Sequence, residues 1–266
     1  MTRVLSGAAL LVIAAAVVWL APATIFLLVA EALLLLGVTE YAQLARANGL
    51  TIPTGLAGGI AALACASFSR AVFGSLPWVS LEVVMMVGFV AIAVTTLMTW
   101  SGEGDALATA AASIFPTLYL GLPIGAMVAI REVHGREALA LLMLTVIVSD
   151  TMQYYTGRTL GRRLLAPSIS PKKTVEGAVG GFVFGTLTVV AAANWWLPAL
   201  TMPLRVTLGV AIVAFGIWGD LFESMLKRSA DMKDSSTLIP GHGGVLDRID
   251  ALLFAAPVFY IVLVYV

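Results

Sequence analysis

Apolar runs of about twenty residues follow one another along almost the whole chain, and most charged side chains lie in the gaps and at run ends. A helix rises ~1.5 Å per residue, so ~20 apolar residues cross the ~30 Å hydrocarbon layer of a bilayer. Only 11% of the 266 residues are Asp, Glu, Lys or Arg, against about 25% in soluble domains. That excludes an ordinary water-soluble globule and a disordered chain. Lys and Arg number 15, as do Asp and Glu, which leaves no basic excess for nucleic acid. A β-barrel would instead show alternating segments of ~10 residues. The single cysteine, Cys65, excludes an internal disulfide framework and a cysteine-based zinc cluster. Two histidines, His134 and His242, leave no room for a His-rich metal site.

The pattern predicts an all-α, polytopic membrane helix bundle of about nine transmembrane helices. They are read at roughly 4–20, 23–45, 54–73, 77–100, 106–130, 137–157, 176–194, 203–226 and 249–266. Each ends at Pro, Gly or a charge cluster, as at Ala21-Pro22, Gly49 to Pro53, Gly74 to Pro77 and Ser101 to Asp105. The first two stretches also read as one re-entrant hairpin. Arg3, the apolar run after it and Ala21-Pro22-Ala23 resemble a secretory signal, but a first membrane span is the reading taken. With the N-terminus in the cytoplasm, only Arg70, Arg131, Arg136 and Arg205 fall outside, and the C-terminus is outside. Trp19, Trp78, Trp195 and Trp196 fall near the outer boundary and Trp100 near the inner one, as interfacial anchors. Trp218, inside the eighth span, is expected to pack against a neighbour. No loop is long enough to hold a soluble core. Residues 131–266 hold two polar loops, at 157–176 and 227–249, read as cytoplasmic.

Each polar loop follows a span that carries acids at membrane depth. Asp150 precedes the first loop, and Asp220 and Glu223 precede the second. An ionised carboxylate in hydrocarbon is costly, so such residues usually face a polar cavity and a partner. Asp220 and Glu223 share a helix face; Asp247 and Asp250 repeat that spacing at the start of the ninth span. Two helix ends facing each other would bring Asp220 and Asp247 to one hard-cation site. Oxygen-only ligands suit Mg²⁺ completed by substrate phosphates. Asp250 reads equally well as a helix N-terminal charge, and Glu223 as the i,i+4 partner of Lys227. Glu31 and Glu82 are isolated acids within spans, without an assigned role.

The second loop contains Pro240-Gly241-His242-Gly243-Gly244, flanked by Lys227, Arg228, Lys233 and Arg248. Glycines let a backbone approach a ligand closely, amide runs cradle phosphate oxygens, and the cations add donors. In the first loop, Ser170 or Thr174 would cap the following helix. Ser170, Lys173 and Thr174 equally suit phosphate at that helix N-terminus. Gly177, Gly181 and Gly185 read as a close helix-packing stripe.

The stretch from Ser224 and Lys227-Arg228 through Lys233-Asp234 to Pro240-Gly241-His242-Gly243-Gly244-Val245-Leu246-Asp247-Arg248-Ile249-Asp250 resembles the signature of phosphatidate cytidylyltransferases, or CDP-diacylglycerol synthases. Ser170-Pro171-Lys172-Lys173-Thr174-Val175-Glu176-Gly177 is similar to a second region of that family, as is Asp150 with Gly157-Arg158 and Gly161-Arg162. The resemblance covers roughly 150–250; the first 130 residues match only as hydrophobic spans, so it implies a catalytic region over 131–266 and leaves 1–130 as a packing, dimer or lipid-access region. It implies a membrane enzyme that joins CTP to phosphatidic acid, gives CDP-diacylglycerol and pyrophosphate, and feeds phospholipid synthesis. It further implies Mg²⁺, with a second, monovalent cation such as K⁺ nearby, and a homodimer in the cell's inner (cytoplasmic) membrane with its active site facing the cytoplasm. Carried onto this chain, Lys227, Arg228, Asp247 and Arg248 are catalytic, and Asp220, Asp247 and Asp250 bind metal. Asp150, Ser170, Lys173, Thr174, Lys233, His242, Gly243 and Gly244 bind substrate. The rival readings are a lipid nucleotidyl- or phosphotransferase with another lipid acceptor, and a cation-coupled secondary transporter.

Overall fold

The structure, a computed structural model, describes residues 2–73, 80–238 and 243–265. The break at Gly74 to Pro77, Trp78 and His242 lie outside them. The N-terminal part comprises α1 (Thr2–Leu20), α2 (Ala23–Ala47), α3 (Thr54–Ala66), α4 (Arg70–Phe73), α5 (Leu81–Thr99), α6 (Ala106–Pro116) and α7 (Leu122–Val133). The C-terminal part comprises α8 (Arg136–Leu160), β1 (Leu164–Ala166), β2 (Ser170–Thr174), α9 (Val175–Trp196), α10 (Met202–Ser229) and α11 (Leu246–Val264). Among the described residues, six helical stretches are long and apolar enough to cross a membrane: α2, α5, α6 through α7, α8, α9 and α10. The chain is a helical membrane protein.

The stretch expected as one span over 54–73 is two helices. The 13 residues of α3 reach only ~20 Å at ~1.5 Å per residue. Side-chain bonds bend the chain there. Ser67 Oγ donates to the Ala64 carbonyl at 2.7 Å. Glu132 of α7 accepts from Ser69 Oγ at 2.7 Å and from the Ala71 amide at 3.1 Å. The stretch from α6 to α7 is continuous but widens to a π-helical turn over Thr117–Gly121. Pro116, inside α6, has no N–H to donate and crowds the carbonyl one turn back, which a wider turn relieves. Gly121 sits where that turn meets α3; a Cβ there would lie 2.8 Å from the Ala61 carbonyl oxygen.

Glycines also set the close packing of the C-terminal helices. A Cβ at Gly177 would lie 2.7 Å from the Gln153 carbonyl oxygen, and one at Gly181 would lie 2.6 Å from Gln153 Cγ. The glycine stripe of α9 thus packs α9 against α8. Gly219 of α10 lies against α11, where a Cβ would come 2.5 Å from the Asp250 carbonyl oxygen. Backbone cannot yield as a flexible side chain can, so Gly219→Ala is expected to push α10 from α11 and to cost about 1–3 kcal/mol. The measurement is the thermal midpoint of the detergent-solubilised variant; a midpoint equal to that of the parent refutes this packing. Leu34, Leu120, Leu142, Ile212 and Phe259, fully buried, fill the core between α2, the π turn, α8, α10 and α11.

The helix ends fall into two groups. At one end Trp19 and Trp196 lie 6.1 Å apart between ring centroids. Arg136 stacks over Trp19 and donates to its carbonyl at 3.1 Å. Arg131 donates to the Val18 carbonyl at 3.0 Å and to that of Ala21, bracing the Ala21-Pro22 corner between two distinct helices. At the other end Asn48, after α2, donates to Ser229 of α10 at 3.3 Å, and the polar loops gather. Trp218 departs from expectation. It is 55% exposed and meets Phe215 of its own helix edge-on at 5.0 Å, because its position on α10 faces outward. The first polar loop is not irregular throughout: β1 and β2 pair antiparallel, with Leu164 opposite Thr174 and Ala166 opposite Ser170.

Candidate active site at the paired polar loops

Five acids from three helices gather beside the second polar end. Asp250 on α11 lies within electrostatic range of Asp220 and Glu223 on α10 and of Asp150 on α8. Glu223 in turn senses Asp247. Two lysines answer them. Lys173, on β2, reaches Asp220 Oδ2 at 2.5 Å, while Ser224 donates to the other Asp220 oxygen at 3.4 Å. Lys227 lies between Glu223, one turn back on its own helix, and Asp247 Oδ1 at 2.5 Å. Glu223 is fully buried. Lys227 Nζ lies against its Oε2 and its Oε1 has no donor, so this carboxylate depends on that one cation.

Local structure explains how these groups are held. Thr174 ends β2 in an extended conformation and caps α9, its Oγ1 accepting from the Gly177 amide at 3.1 Å. It, not Ser170, is the helix cap. Glu176 in the first turn of α9 accepts from the Arg162 and Arg163 amides at 2.9 and 3.2 Å. That fixes the root of the hairpin and so the reach of Lys173. Arg228 is exposed and ties the two loops together: its Nε donates to the Ile169 carbonyl at 3.3 Å and its Nη1 to that of Met232 at 3.0 Å. Lys233 and Arg248 are exposed at the rim. Ser170 opens β2 beside this rim. Asp150 is exposed on α8 and accepts from Gln153 at 2.9 Å.

Asp247 organises the second loop. Its Oδ2 accepts from the Ser235 amide at 2.9 Å, Ser235 Oγ at 2.8 Å and the Gly244 amide at 2.8 Å. Gly243 has φ +80°, and a Cβ there would lie 2.5 Å from Asp247 Oδ2, so the turn requires glycine on both counts. The Gly244 amide is directed at Asp247 here. The structure thus brings Lys173, Asp220, Lys227, Asp247 and Asp250 together, with Arg228, Lys233 and Arg248 around them. Two further residues belong to this region. Tyr119, on the π turn, is buried with an unpartnered hydroxyl beside Phe115, Phe222 and Phe254 and in electrostatic range of the acids. Glu40, near the C-terminal end of α2, reaches the loop that Asp247 holds. Nothing in a single sequence marks Tyr119. Glu40 carries the same signal as Asp220, an acid near the end of an apolar span, but its place close to the span boundary reads as interfacial.

Among the described residues, no three His, Cys, Asp or Glu side chains converge closely enough to enclose a metal ion by themselves. The donor chemistry nevertheless suits a hard cation. Every candidate ligand is a carboxylate, the acids outnumber the lysines beside them, and Glu223 Oε1 is buried without a donor. Mg²⁺ is commonly held by one or two carboxylates, with substrate phosphates and water completing the shell.

Comparison with known proteins gives the family of the chain. The profile of the cytidylyltransferase family matches residues 1–266. A phosphatidate cytidylyltransferase of Haemophilus influenzae is 43% identical over 130 residues, 47% of this chain and 45% of that protein. One of Aquifex aeolicus is 37% identical over 155 residues, 57% of this chain and 56% of the other. One of Staphylococcus aureus is 34% identical over 193 residues, 71% and 72% of the two chains. The matched part spans about half the length of the first two relatives.

Proposed function

Since the chain belongs to the cytidylyltransferase family, we propose that it transfers the cytidylyl group of CTP to phosphatidic acid, giving CDP-diacylglycerol and pyrophosphate for phospholipid synthesis. The observation that carries this reading is the meeting of two polar loops at one end of a membrane bundle, where Lys173 pairs with Asp220 and Lys227 with Asp247. Both substrates are polyanions. One is soluble in water and the other is anchored in lipid, so their meeting place must be cationic and at the bilayer surface.

In the proposed reaction a phosphate oxygen of phosphatidic acid attacks the α-phosphorus of CTP in line. The new P–O bond forms as the α–β P–O bond breaks, and pyrophosphate leaves with that electron pair. Such transfers need positioning and charge stabilisation more than covalent help from the protein. A phosphate monoester is largely ionised near neutral pH, so no general base is required. Arg228, Lys233 and Arg248 at the rim bind phosphate oxygens, arginine as a planar fork and lysine as a compact charge. Lys173 and Lys227 hold the carboxylates in place and add positive charge. Ser170, Thr174, Asp150, Gly243, Gly244 and His242, the last outside the described residues, complete the substrate contacts. Asp220, Asp247 and Asp250 are the residues that would hold Mg²⁺, with K⁺ nearby; the divalent ion, when bound, supplies charge to phosphate oxygens.

The same reading places the polar end in the cytoplasm of a bacterial cell and the protein in its inner membrane as a homodimer. The cluster of Arg158, Arg162, Arg163, Lys172 and Lys173 on that side supports the orientation. Nine crossings, with the N-terminus inside and the C-terminus outside, require α1, α3 with its continuation, and α11 to join the six longer stretches. Purified protein given CTP, Mg²⁺ and phosphatidic acid in micelles is expected to yield CDP-diacylglycerol by mass spectrometry, with one pyrophosphate per product. Absence of product while the folded protein binds CTP refutes the reaction. Proteoliposomes that take up solute without consuming CTP favour the transporter.

A further inference from the structure

We infer that Glu40, from the N-terminal region, is a positioning residue for the nucleotide-facing loop; this rests on the cytidylyltransferase reading. Glu40 lies near the C-terminal end of α2 and is 2% exposed. Its carboxylate meets four donors from a segment some 200 residues later. Oε1 accepts from Ser236 Oγ at 2.7 Å and from the Val245 amide at 2.9 Å. Oε2 accepts from Ser235 Oγ at 2.9 Å and from the Leu246 amide at 2.8 Å. One side chain thus grips both described arms of the loop, 235–236 before the glycines and 245–246 after them.

The second pair of bonds has a specific physical role. The first amides of a helix have no partner within it. The residue in front of α11 is Val245, whose side chain cannot cap. Glu40 supplies the missing acceptor from another helix and brings negative charge to the positive end of the α11 dipole. It also meets Asp247 through one hydroxyl: Ser235 Oγ lies 2.9 Å from Glu40 and 2.8 Å from Asp247, and the two carboxylates share its single proton. A chain of contacts therefore runs from Glu40 through Ser235 and Asp247 to Lys227. The fit is close: a Cβ at Gly244 would lie 2.5 Å from the Glu40 carboxyl carbon. Glu40 is placed to set where Lys233, Gly243, Gly244 and the start of α11 present themselves to CTP phosphates, without touching substrate.

The test uses Glu40→Gln in the purified full chain. A carboxamide keeps the shape but turns an NH₂ group toward donors. The serine hydroxyls can rotate to accept from it; the amides of Val245 and Leu246 cannot. The KM for CTP is expected to rise at least about tenfold, with kcat changed less than about threefold. Trypsin cleavage after the exposed Lys233 is expected to quicken at least about tenfold, because the arm is released. A merely structural role would remove active molecules, lowering kcat and leaving KM and the cleavage rate of the folded fraction unchanged. That result, or parental values throughout, overturns the inference. If Glu40→Gln does not fold, Ser235→Ala/Ser236→Ala takes its place, with a smaller rise in both quantities expected and unchanged values overturning the inference. If the parent protein makes no CDP-diacylglycerol, the proposed reaction fails, and the Lys233 cleavage rates still decide whether Glu40 holds the loop.

Discussion

Replacing Asp220 by Asn in the purified, folded protein is expected to lower CTP-dependent formation of CDP-diacylglycerol by on the order of 100-fold or more at saturating Mg²⁺. The substitution keeps the shape and removes one negative charge. Two consequences follow from the geometry. Lys173 loses the carboxylate it reaches at 2.5 Å and is free to swing with the hairpin. A hard cation loses one of its few carboxylate ligands. The folded state should survive, because Asp220 is partly exposed and its other partner, Ser224, bonds weakly at 3.4 Å. The effect therefore belongs in kcat/KM, with little change in the thermal midpoint. Near-normal turnover refutes the assignment of Asp220 to the metal. An equal loss in Lys173→Met with unchanged Mg²⁺ dependence would instead mark Asp220 as the anchor of that lysine.

Lys227→Met is expected to fail differently, through stability as well as activity. The lysine side chain is 10% exposed and stands between Glu223, 0% exposed, and Asp247, 5% exposed. Methionine fills a similar volume but leaves two carboxylates close together and unpaired. Removing one partner of a buried ion pair costs about 3–5 kcal/mol, a large share of the ~5–15 kcal/mol that holds a typical domain folded. A clear drop in the thermal midpoint in detergent is expected, with activity lost even below it. Adding Glu223→Gln to Lys227→Met should restore part of the stability, since it removes one of the orphaned charges and groups in contact do not behave additively. A double variant no more stable than Lys227→Met refutes the account of Lys227 as the shared counter-ion. The two results would separate roles that the signature alone lumps together: under the proposed function Asp220 serves chemistry, and Lys227 serves both chemistry and cohesion.

What could be read beforehand divides along a physical line. The length of the apolar runs sets helices long enough for a bilayer, and most of the expected spans correspond to observed ones. The i,i+4 spacing of Glu223 and Lys227 puts them on one helix face, and they do pair. The every-fourth-residue glycines of α9 do pack closely. By sequence Thr174 and Ser170 suit the cap equally; only the backbone at the end of β2 makes Thr174 the cap. The hairpin is not legible in the sequence, because its strands of three and five residues are too short to show a period of two. The stretch over 54–73 misled because hydropathy counts apolar residues and does not register the serines and Glu132 that bend the chain.

Alone, the sequence determined that this is a helical membrane protein and which two loops carry its polar chemistry, because run length, local spacing and a contiguous signature are properties of neighbouring residues. Only the tertiary structure decided which charge meets which: Lys173 with Asp220 across 47 positions, and Glu40 with a loop some 200 residues further on. Those meetings depend on helix faces brought together by glycine contacts such as Gly219 against Asp250, and a linear chain does not record which of its distant faces will touch.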